Sequence, residues 1–228
     1  MIETIRHRGI EIPVLQMGKV SSADLFEERE QQAFDLYERH RSHYRRVLDV
    51  GANIGVHSII MAKLGWDVMA FEPDPSHFEH LRQNVVSNGV ASKVRLYRHA
   101  LSDHCGPAKF TRVLDNTTAS HLDGTRGHHG PVEQFDVSVL MARAYLHAVD
   151  FAKVDCEGSE ADVVCSVEAD IDCEFLIEIG SAENARRIYE HFGDRQMWRQ
   201  GEPWTRVLSL ADVPTHYREG SLFVGEQP

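Results

Sequence analysis

Three acidic residues stand at or near the ends of short apolar runs that have the length of buried strands. The acids and their runs are Glu72 after residues 67–71, Asp155 at the end of residues 150–155, and Glu178 within residues 175–179. In an open α/β sheet the carboxyl ends of the strands line the ligand crevice, so we expect the three carboxylates to meet there. A carboxylate in such a crevice can accept hydrogen bonds from hydroxyls, neutralise a cation or take up a proton.

A glycine turn with the pattern D-x-G-x-x-x-G begins in another apolar run, residues 47–50, and leads into a predicted helix. Dinucleotide folds favour G-x-G-x-x-G, because a pyrophosphate must lie on bare backbone amides. A carboxylate at Asp49 would repel a phosphate and attract a cationic amine. S-adenosylmethionine carries an amine, a sulfonium and a ribose, and no phosphate. The turn residues that we predict to bind this cofactor are Asp49, Gly51, Asn53 and Gly55.

The remaining predicted cofactor residues follow the next two strands. Glu72 lies about twenty residues after the glycine turn, where an acid meets ribose hydroxyls in nucleotide-binding folds, and Pro73 follows it. Residues 94–100 read as a third strand, which places Ala100 and Leu101 at its carboxyl end beside an adenine. Asp155, at the end of the fourth strand, completes the predicted cofactor set.

The order of elements predicts an α/β, Rossmann-like, doubly wound fold with helices on both faces of the sheet. Apolar runs at 207–210 and 221–224 are the last strand candidates, and a closing antiparallel pair there would make a seven-stranded sheet. We expect residues 46–228 to form this domain. Residues 1–45 are an N-terminal extension of a strand pair and a helix, which we expect to cover the site.

Composition narrows the class of protein further. The 228 residues suit one α/β domain, and the formal net charge of −11 disfavours a nucleic-acid partner. Four cysteines occur without a C-x-x-C pair, which indicates reduced thiols. We find neither a signal peptide nor a run of eighteen apolar residues, so we expect a cytoplasmic protein without a membrane partner.

Three segments together resemble the FkbM family of class I S-adenosylmethionine-dependent methyltransferases. They are residues 49–55 (DVGANIG), 71–75 (FEPDP) and 153–160 (KVDCEGSE), and the likeness covers about residues 46–180. The resemblance implies a sheet of six parallel strands and an antiparallel seventh. It also implies O-methylation of a hydroxyl on a sugar or secondary metabolite. Cys156 departs from the family, which usually has a plain aliphatic residue at that position.

Methylation of a hydroxyl requires a group that takes the proton, and two acids are candidates for this general base. Asp155 lies next to the transferred methyl group if the resemblance holds, and Glu157 is the second candidate. His121 follows the polar loop 116–120, which we expect to line the acceptor side of the crevice, and is the third catalytic candidate. No N-P-P-Y loop of the amino-group methylases is present, which favours an oxygen acceptor.

A divalent metal is an alternative way to activate the acceptor. Asp155, Glu157 and Glu178 offer the hard oxygen ligands that magnesium prefers. The same acids can instead hold the cofactor amine and cap the helix after Gly158. We expect the second arrangement, with S-adenosylmethionine as the cofactor and no metal.

Two other functions remain open at this stage. The first is an NAD-dependent oxidoreductase, which the missing third glycine of the turn opposes. The second is a non-catalytic nucleoside-binding module that kept the fold, which the acids at all three strand ends oppose. The predicted function is O-methylation of a small-molecule or glycan hydroxyl.

Overall fold

The structure, a computed structural model, describes residues 3–128 and 130–228. The strands are β1 (Thr4–His7), β2 (Ile10–Pro13), β3 (Gln16–Met17), β4 (Val20–Ser21), β5 (Arg46–Val50), β6 (Asp67–Phe71), β7 (Val94–Tyr97), β8 (Ala100–Ser102), β9 (Gly106–Val113), β10 (His121–Leu122), β11 (Val132–Met141), β12 (Phe151–Val154), β13 (Glu174–Glu178), β14 (Met197–Arg199), β15 (Thr205–Arg206) and β16 (Ser221–Val224). The α-helices are α1 (Glu28–Arg39), α2 (Val56–Lys63), α3 (Pro75–Ser87), α4 (Arg143–Leu146), α5 (Glu160–Val164) and α6 (Ala182–Phe192).

The central sheet has eight strands in the order β15-β14-β16-β13-β12-β5-β6-β7. The five strands from β13 to β7 are parallel to one another. Strand β16 lies antiparallel between β13 and β14, so β14 runs in the same direction as the five. Strand β15 pairs antiparallel with β14 at the edge.

Helices cover both faces of this sheet, as the sequence predicted. Neighbouring residues of β5 belong to different cores: Val47 packs with residues of α1, α2 and α3, and Leu48 packs with residues of α5 and α6. All four residues of β12 are buried. Burial on both faces explains why the central strands are continuous apolar runs rather than alternating ones.

The predicted strand count and the predicted closing pair were wrong. The central sheet has eight strands instead of seven, because β15 adds a two-residue edge strand. Residues 207–210 form no strand: Leu208 is 81% exposed, and a 3-10 turn with a capping box begins after Ser209. The partners of β16 are β13 and β14 instead.

A second sheet of four strands, in the order β10-β9-β11-β8, was not predicted. Its main part is the long antiparallel pair of β9 and β11, and β8 joins β11 in parallel. Its small core contains Phe110, Leu122 and Val139. Because β10 pairs with β9, the segment between them, residues 114–120, is a closed loop with fixed ends.

The N-terminal extension packs into the same core as the central sheet. Strands β1 and β2 form the predicted antiparallel pair. The helix predicted within the extension is preceded by a separate 3-10 turn, which is capped by Ser21. Phe34 and Tyr37 of α1 are fully buried, and Tyr37 packs against the Trp66 and Phe151 rings.

None of the helices within residues 3–128 and 130–228 has the length and apolarity needed to cross a bilayer. All four cysteines are free thiols.

Candidate functional site

The glycine turn holds the carboxyl ends of β5 and β12 close together. Gly51 has a φ of +77°, and a Cβ built on it would lie 1.8 Å from the carbonyl oxygen of Asp155. The N–H groups of Gly51 and Ala52 donate to the carbonyl oxygen of Phe71 at 3.0 and 2.9 Å. The turn is therefore tied to the strands on both sides of β5, and only a glycine fits at position 51.

Glu72 is held directly beside this turn. The backbone N–H of Asn53 donates to its Oε2 and the N–H of Asp74 donates to its Oε1, each at 2.8 Å. Burial raises the pKa of Glu72 to about 8, although these two N–H donors favour the ionised form. Asn53 itself adopts a left-handed φ of +53°, which places its N–H toward the carboxylate.

Two adjoining cavities open at this edge of the sheet. The first cavity is narrow, with a volume of about 150 Å³, and it lies at the carboxyl ends of β5, β6 and β12. The second cavity is wider, about 550 Å³, and lies toward α1 and the carboxyl-terminal strands. Six residues line both cavities and define what we call the junction: Leu25, Glu30, Thr118, Asp155, Glu157 and Glu178.

The junction concentrates negative charge beside two cations. Lys153 Nζ lies 3.1 Å from Asp155 Oδ2, and Arg126 forms an ion pair with Glu157. Burial, together with the charges of Asp155 and Glu30, raises the pKa of Glu178 well above its usual value. The raised pKa of Glu178 favours its neutral form, which relieves the repulsion among the acids.

The three acids that were considered as alternative metal ligands do lie together. Oxygens of Asp155, Glu157 and Glu178 approach within 4.8 Å of one another. Glu157 adopts a left-handed φ of +58°, an uncommon conformation for a residue with a Cβ. The side chains of Asp155 and Glu157 are nevertheless already engaged by Lys153 and Arg126, so the cluster carries its own positive charges.

A buried hydrogen-bonded chain connects α1 with α2 at the wall of the second cavity. His57 Nε2 lies 2.9 Å from Glu30 Oε2, and the Tyr37 hydroxyl lies 2.9 Å from His57 Nδ1. Burial raises the pKa of Tyr37 well above its usual value, so its hydroxyl stays protonated. The chain therefore joins the Tyr37 hydroxyl, the His57 ring and the Glu30 carboxylate.

Most of the residues predicted to bind the cofactor line the first cavity. They are Gly51, Asn53, Glu72, Pro73, Ala100, Leu101 and Asp155. Asp49 and Gly55 do not line either cavity. The Asp49 side chain is fully buried and accepts a hydrogen bond from the Ser58 hydroxyl, and a Cβ on Gly55 would lie 2.6 Å from Leu81 Cδ1. Gly55 thus permits α2 and α3 to pack closely.

The three catalytic candidates do not all lie at the site. Asp155 and Glu157 lie at the junction, whereas His121 lines neither cavity. The His121 ring is buried and its Nδ1 donates to the carbonyl oxygen of Ala119 at 3.0 Å. The polar loop before it does reach the cavities, through Thr117, Thr118 and Ser120 in the first and Asn116, Thr118 and Ala119 in the second.

Sequence reasoning missed several residues of the site. Glu30 comes from the extension, and His77 of α3 lies 2.9 Å from the Thr117 hydroxyl through its Nε2. His99 lines the first cavity with a buried Nδ1 that has no hydrogen-bond partner within the described residues. The only sequence signal for His99 was its position directly before Ala100.

This chain is similar to known proteins in both sequence and structure. The sequence profile of a family described as "Methyltransferase FkbM domain" matches residues 49–208. A hexuronic acid methyltransferase, AglP, from Haloferax volcanii is 30% identical over 116 residues, which are 51% of this chain and 47% of that protein. The 31-O-demethyl-FK506 methyltransferase FkbM of Streptomyces tacrolimicus is 31% identical over 155 residues, 54% of this chain and 59% of that protein.

The matched segments therefore span about half of each of these two relatives. Among solved structures, a SAM-dependent methyltransferase from Agrobacterium tumefaciens superimposes with a TM-score of 0.55 at 10% identity. That alignment covers 98% of this chain and 69% of the other. At this identity the similarity establishes the fold, an α/β fold with a mostly parallel central sheet.

Proposed function

This chain belongs to the FkbM methyltransferase family, and from that premise we propose that it transfers the methyl group of S-adenosylmethionine to a hydroxyl oxygen of a small molecule or glycan. The observation that carries the proposal is the junction. There the family's two acidic motifs, around Glu72 and Asp155, open on one cavity, and Asp155 also faces a second, wider cavity. One cavity suits the methyl donor and the other suits the acceptor.

The first cavity fits an adenosine group by its donors and acceptors. Glu72 retains free lone pairs on both carboxylate oxygens for the ribose hydroxyls. Asn53 Oδ1 and His99 Nδ1 are buried lining atoms without partners, and each needs a polar ligand atom. Phe71 and Leu101 supply an apolar surface for a base. We propose these residues, with Gly51, Pro73, Ala100 and Asp155, as the cofactor site.

The donor and the residues of this chain have different roles in the proposed reaction. S-adenosylmethionine supplies an electrophilic methyl group on a sulfonium. We propose that Asp155 accepts the proton of the acceptor hydroxyl, with Glu157 as the second candidate, while the cavity walls hold the acceptor oxygen in line with the methyl group. Asp155 lines both cavities, which is the position that a base between donor and acceptor requires.

The second cavity supports a polar, hydroxylated acceptor. Few apolar side chains line this cavity. Most of its lining is polar, and the charged and amide side chains there include Arg29, Arg126, Asn116 and Gln200. One relative's name specifies a hexuronic acid and the other's specifies 31-O-demethyl-FK506. We propose that the extension, residues 1–45, covers this cavity, since Leu25 and Glu30 line both cavities.

Calorimetry with S-adenosylmethionine and with NAD tests the proposal against both alternatives. We expect S-adenosylmethionine to bind and NAD not to bind. Radiolabelled S-adenosylmethionine is then incubated with methyl glucoside and methyl glucuronoside, and label should appear in at least one product. NAD binding alone would support the oxidoreductase, and donor binding without transfer to either sugar would favour the non-catalytic module.

The role of Glu72 gives the first prediction. Glu72→Ala should weaken S-adenosylmethionine binding by about 1.5–3 kcal/mol, the range for hydrogen bonds to a charged group. In the free protein Glu72 is protonated below about pH 8, and the ribose hydroxyls bind its ionised form better. Donor affinity should therefore rise as the pH rises toward 8 and level off above it. Calorimetry between pH 6 and 9 measures both effects.

Glu72→Gln is the matched control for this titration, because it keeps the side-chain shape and cannot ionise. The part of the pH dependence that belongs to Glu72 should be absent in this variant, while any contribution from the donor's own amine remains. Identical affinity–pH curves for the wild type and Glu72→Gln would remove Glu72 from the ribose site.

A further inference from the structure

Lys153 is a buried lysine in the middle of the central sheet. It lies on β12, opposite Asp49 of β5 and Leu176 of β13 in the strand register, and it is 7% exposed. Lysine is almost never buried unless its charge is paired, because burial removes the ammonium from water. The mechanism proposed for Asp155 and Glu157 assigns no role to this residue.

The lysine side chain keeps its charge and has hydrogen-bonding capacity that the described residues do not use. Burial disfavours the ammonium, but the charges of Asp155, Asp49 and Glu30 outweigh burial and raise the pKa of Lys153. Of its three N–H donors, one reaches Asp155 Oδ2 at 3.1 Å. Asp49 Oδ1 lies 3.9 Å away, too far for a hydrogen bond, and is itself without a partner in the described part of the chain.

The position of Lys153 relates it to the acceptor and not to the donor. Lys153 lines the second cavity and does not line the first, whereas Asp155 lines both. An acceptor hydroxyl placed to reach Asp155 from the second cavity approaches the ammonium as well. Stability alone does not account for the residue, since a buried ion pair is often no better than well-packed apolar side chains.

We propose that Lys153 is a catalytic residue of methyl transfer, which binds the acceptor oxygen from the second cavity and stabilises its negative charge while Asp155 takes its proton. This inference rests on the proposed function. The acceptor O–H bond breaks and its proton moves to the Asp155 carboxylate. The oxygen forms the bond to the methyl carbon, and the electron pair of the broken S–CH3 bond stays on sulfur. Lys153 remains protonated throughout.

The arrangement also explains how the charge moves. Before proton transfer the negative charge is on Asp155, and afterwards it is on the acceptor oxygen. In this arrangement both oxygens lie beside the same ammonium. The negative charge is therefore stabilised by Lys153 before and after proton transfer, and the surrounding polar groups need to reorganise little. In this proposal Lys153 performs the task that a divalent metal performs in a metal-assisted transfer. The three acids of the junction then need no metal.

Lys153→Met tests the proposal in the full chain. Removing one preorganised donor typically lowers kcat by about 10²–10³-fold, and we expect a loss of that size in single-turnover methylation of methyl glucuronoside or methyl glucoside. The affinity for S-adenosylmethionine should change less than threefold, because Lys153 does not line the first cavity. A normal transfer rate, or a loss of donor affinity equal to the loss of rate, would overturn the proposal.

A second variant guards against misfolding. Methionine at position 153 leaves Asp49 buried without a nearby cation, so Lys153→Met is also made in an Asp49→Asn background and compared with Asp49→Asn alone. The rate loss from Lys153→Met should persist in this background with donor binding intact. Failure of the wild type to bind donor or to methylate either sugar would contradict the proposed function instead, which separates the two outcomes.

Mn²⁺ alone provides a test that needs no acceptor. With Lys153 in place, the wild type should leave the electron paramagnetic resonance signal of free Mn²⁺ unchanged at equimolar protein. Uptake of one Mn²⁺ per chain by the wild type, abolished by Asp155→Asn, would show that a metal and not Lys153 supplies the cation at the junction.

Discussion

Asp155→Asn should lower the single-turnover rate of methyl transfer by about 10²–10⁴-fold, the usual contribution of a general base. The amide keeps the shape of the side chain but cannot accept the proton. Affinity for S-adenosylmethionine should change much less. A carboxylate that only offset the sulfonium charge in the ground state would act on donor affinity and would not speed the step. Donor affinity by calorimetry and the single-turnover rate with labelled donor separate these two roles.

Glu157→Gln is the matched control for this prediction. Glu157 lies two residues from Asp155 and also lines both cavities, but its carboxylate is paired with Arg126. We expect a smaller rate loss from Glu157→Gln than from Asp155→Asn. If Asp155→Asn turned over at full speed and Glu157→Gln did not, the base would be Glu157. A large loss of donor affinity with a normal chemical step would make Asp155 a binding residue.

Gly51→Val should abolish measurable donor binding and destabilise the fold. The new Cβ would meet the Asp155 carbonyl oxygen at 1.8 Å and its carbonyl carbon at 2.9 Å, so β5 and β12 must separate at the junction. Overpacking costs roughly 1–3 kcal/mol, and a left-handed conformation costs a residue with a Cβ about 1–2 kcal/mol more. Denaturant unfolding measures the loss of stability, and calorimetry measures donor binding.

Gly65→Val is the control that separates the conformational cost of the substitution from its steric cost. Gly65 has a φ of +104°, and a Cβ built on it meets nothing within 4 Å, so this variant carries the conformational cost without the steric one. We expect Gly65→Val to be milder in stability and to retain donor affinity. Equal destabilisation of both variants, or tight donor binding by Gly51→Val, would show that the Asp155 strand end does not depend on position 51.

The effect predicted for Gly51→Val has a specific structural cause. A glycine in a tight turn often leaves room for the close approach of a ligand. In the structure the space beside Gly51 holds the carbonyl group of Asp155. A glycine in this turn therefore aligns the proposed base, and its substitution is expected to impair both binding and catalysis.

The amino-acid sequence alone determined the glycine turn, the acids at the ends of β6, β12 and β13, and the family. These signals are local: an apolar run of strand length, a glycine or an acid at its end, and a helix after it. The parallel centre of the sheet follows from them, because each strand is followed by a helical segment that returns the chain to the same edge. The two-residue strand β15 and the second sheet have no such pattern, so the strand count was wrong.

Only the tertiary structure decided which side chains face the site. Asp49 precedes the last residue of β5, and the pleat of that strand turns its carboxylate into the core toward Ser58 and Lys153. His121 is buried because its strand pairs with β9. Glu30 and Lys153 reach the second cavity from an N-terminal helix and a central strand, which are adjacent only after the sheet has formed. Cross-strand and helix–sheet contacts of this kind depend on pairing between distant segments, and residue spacing does not encode them.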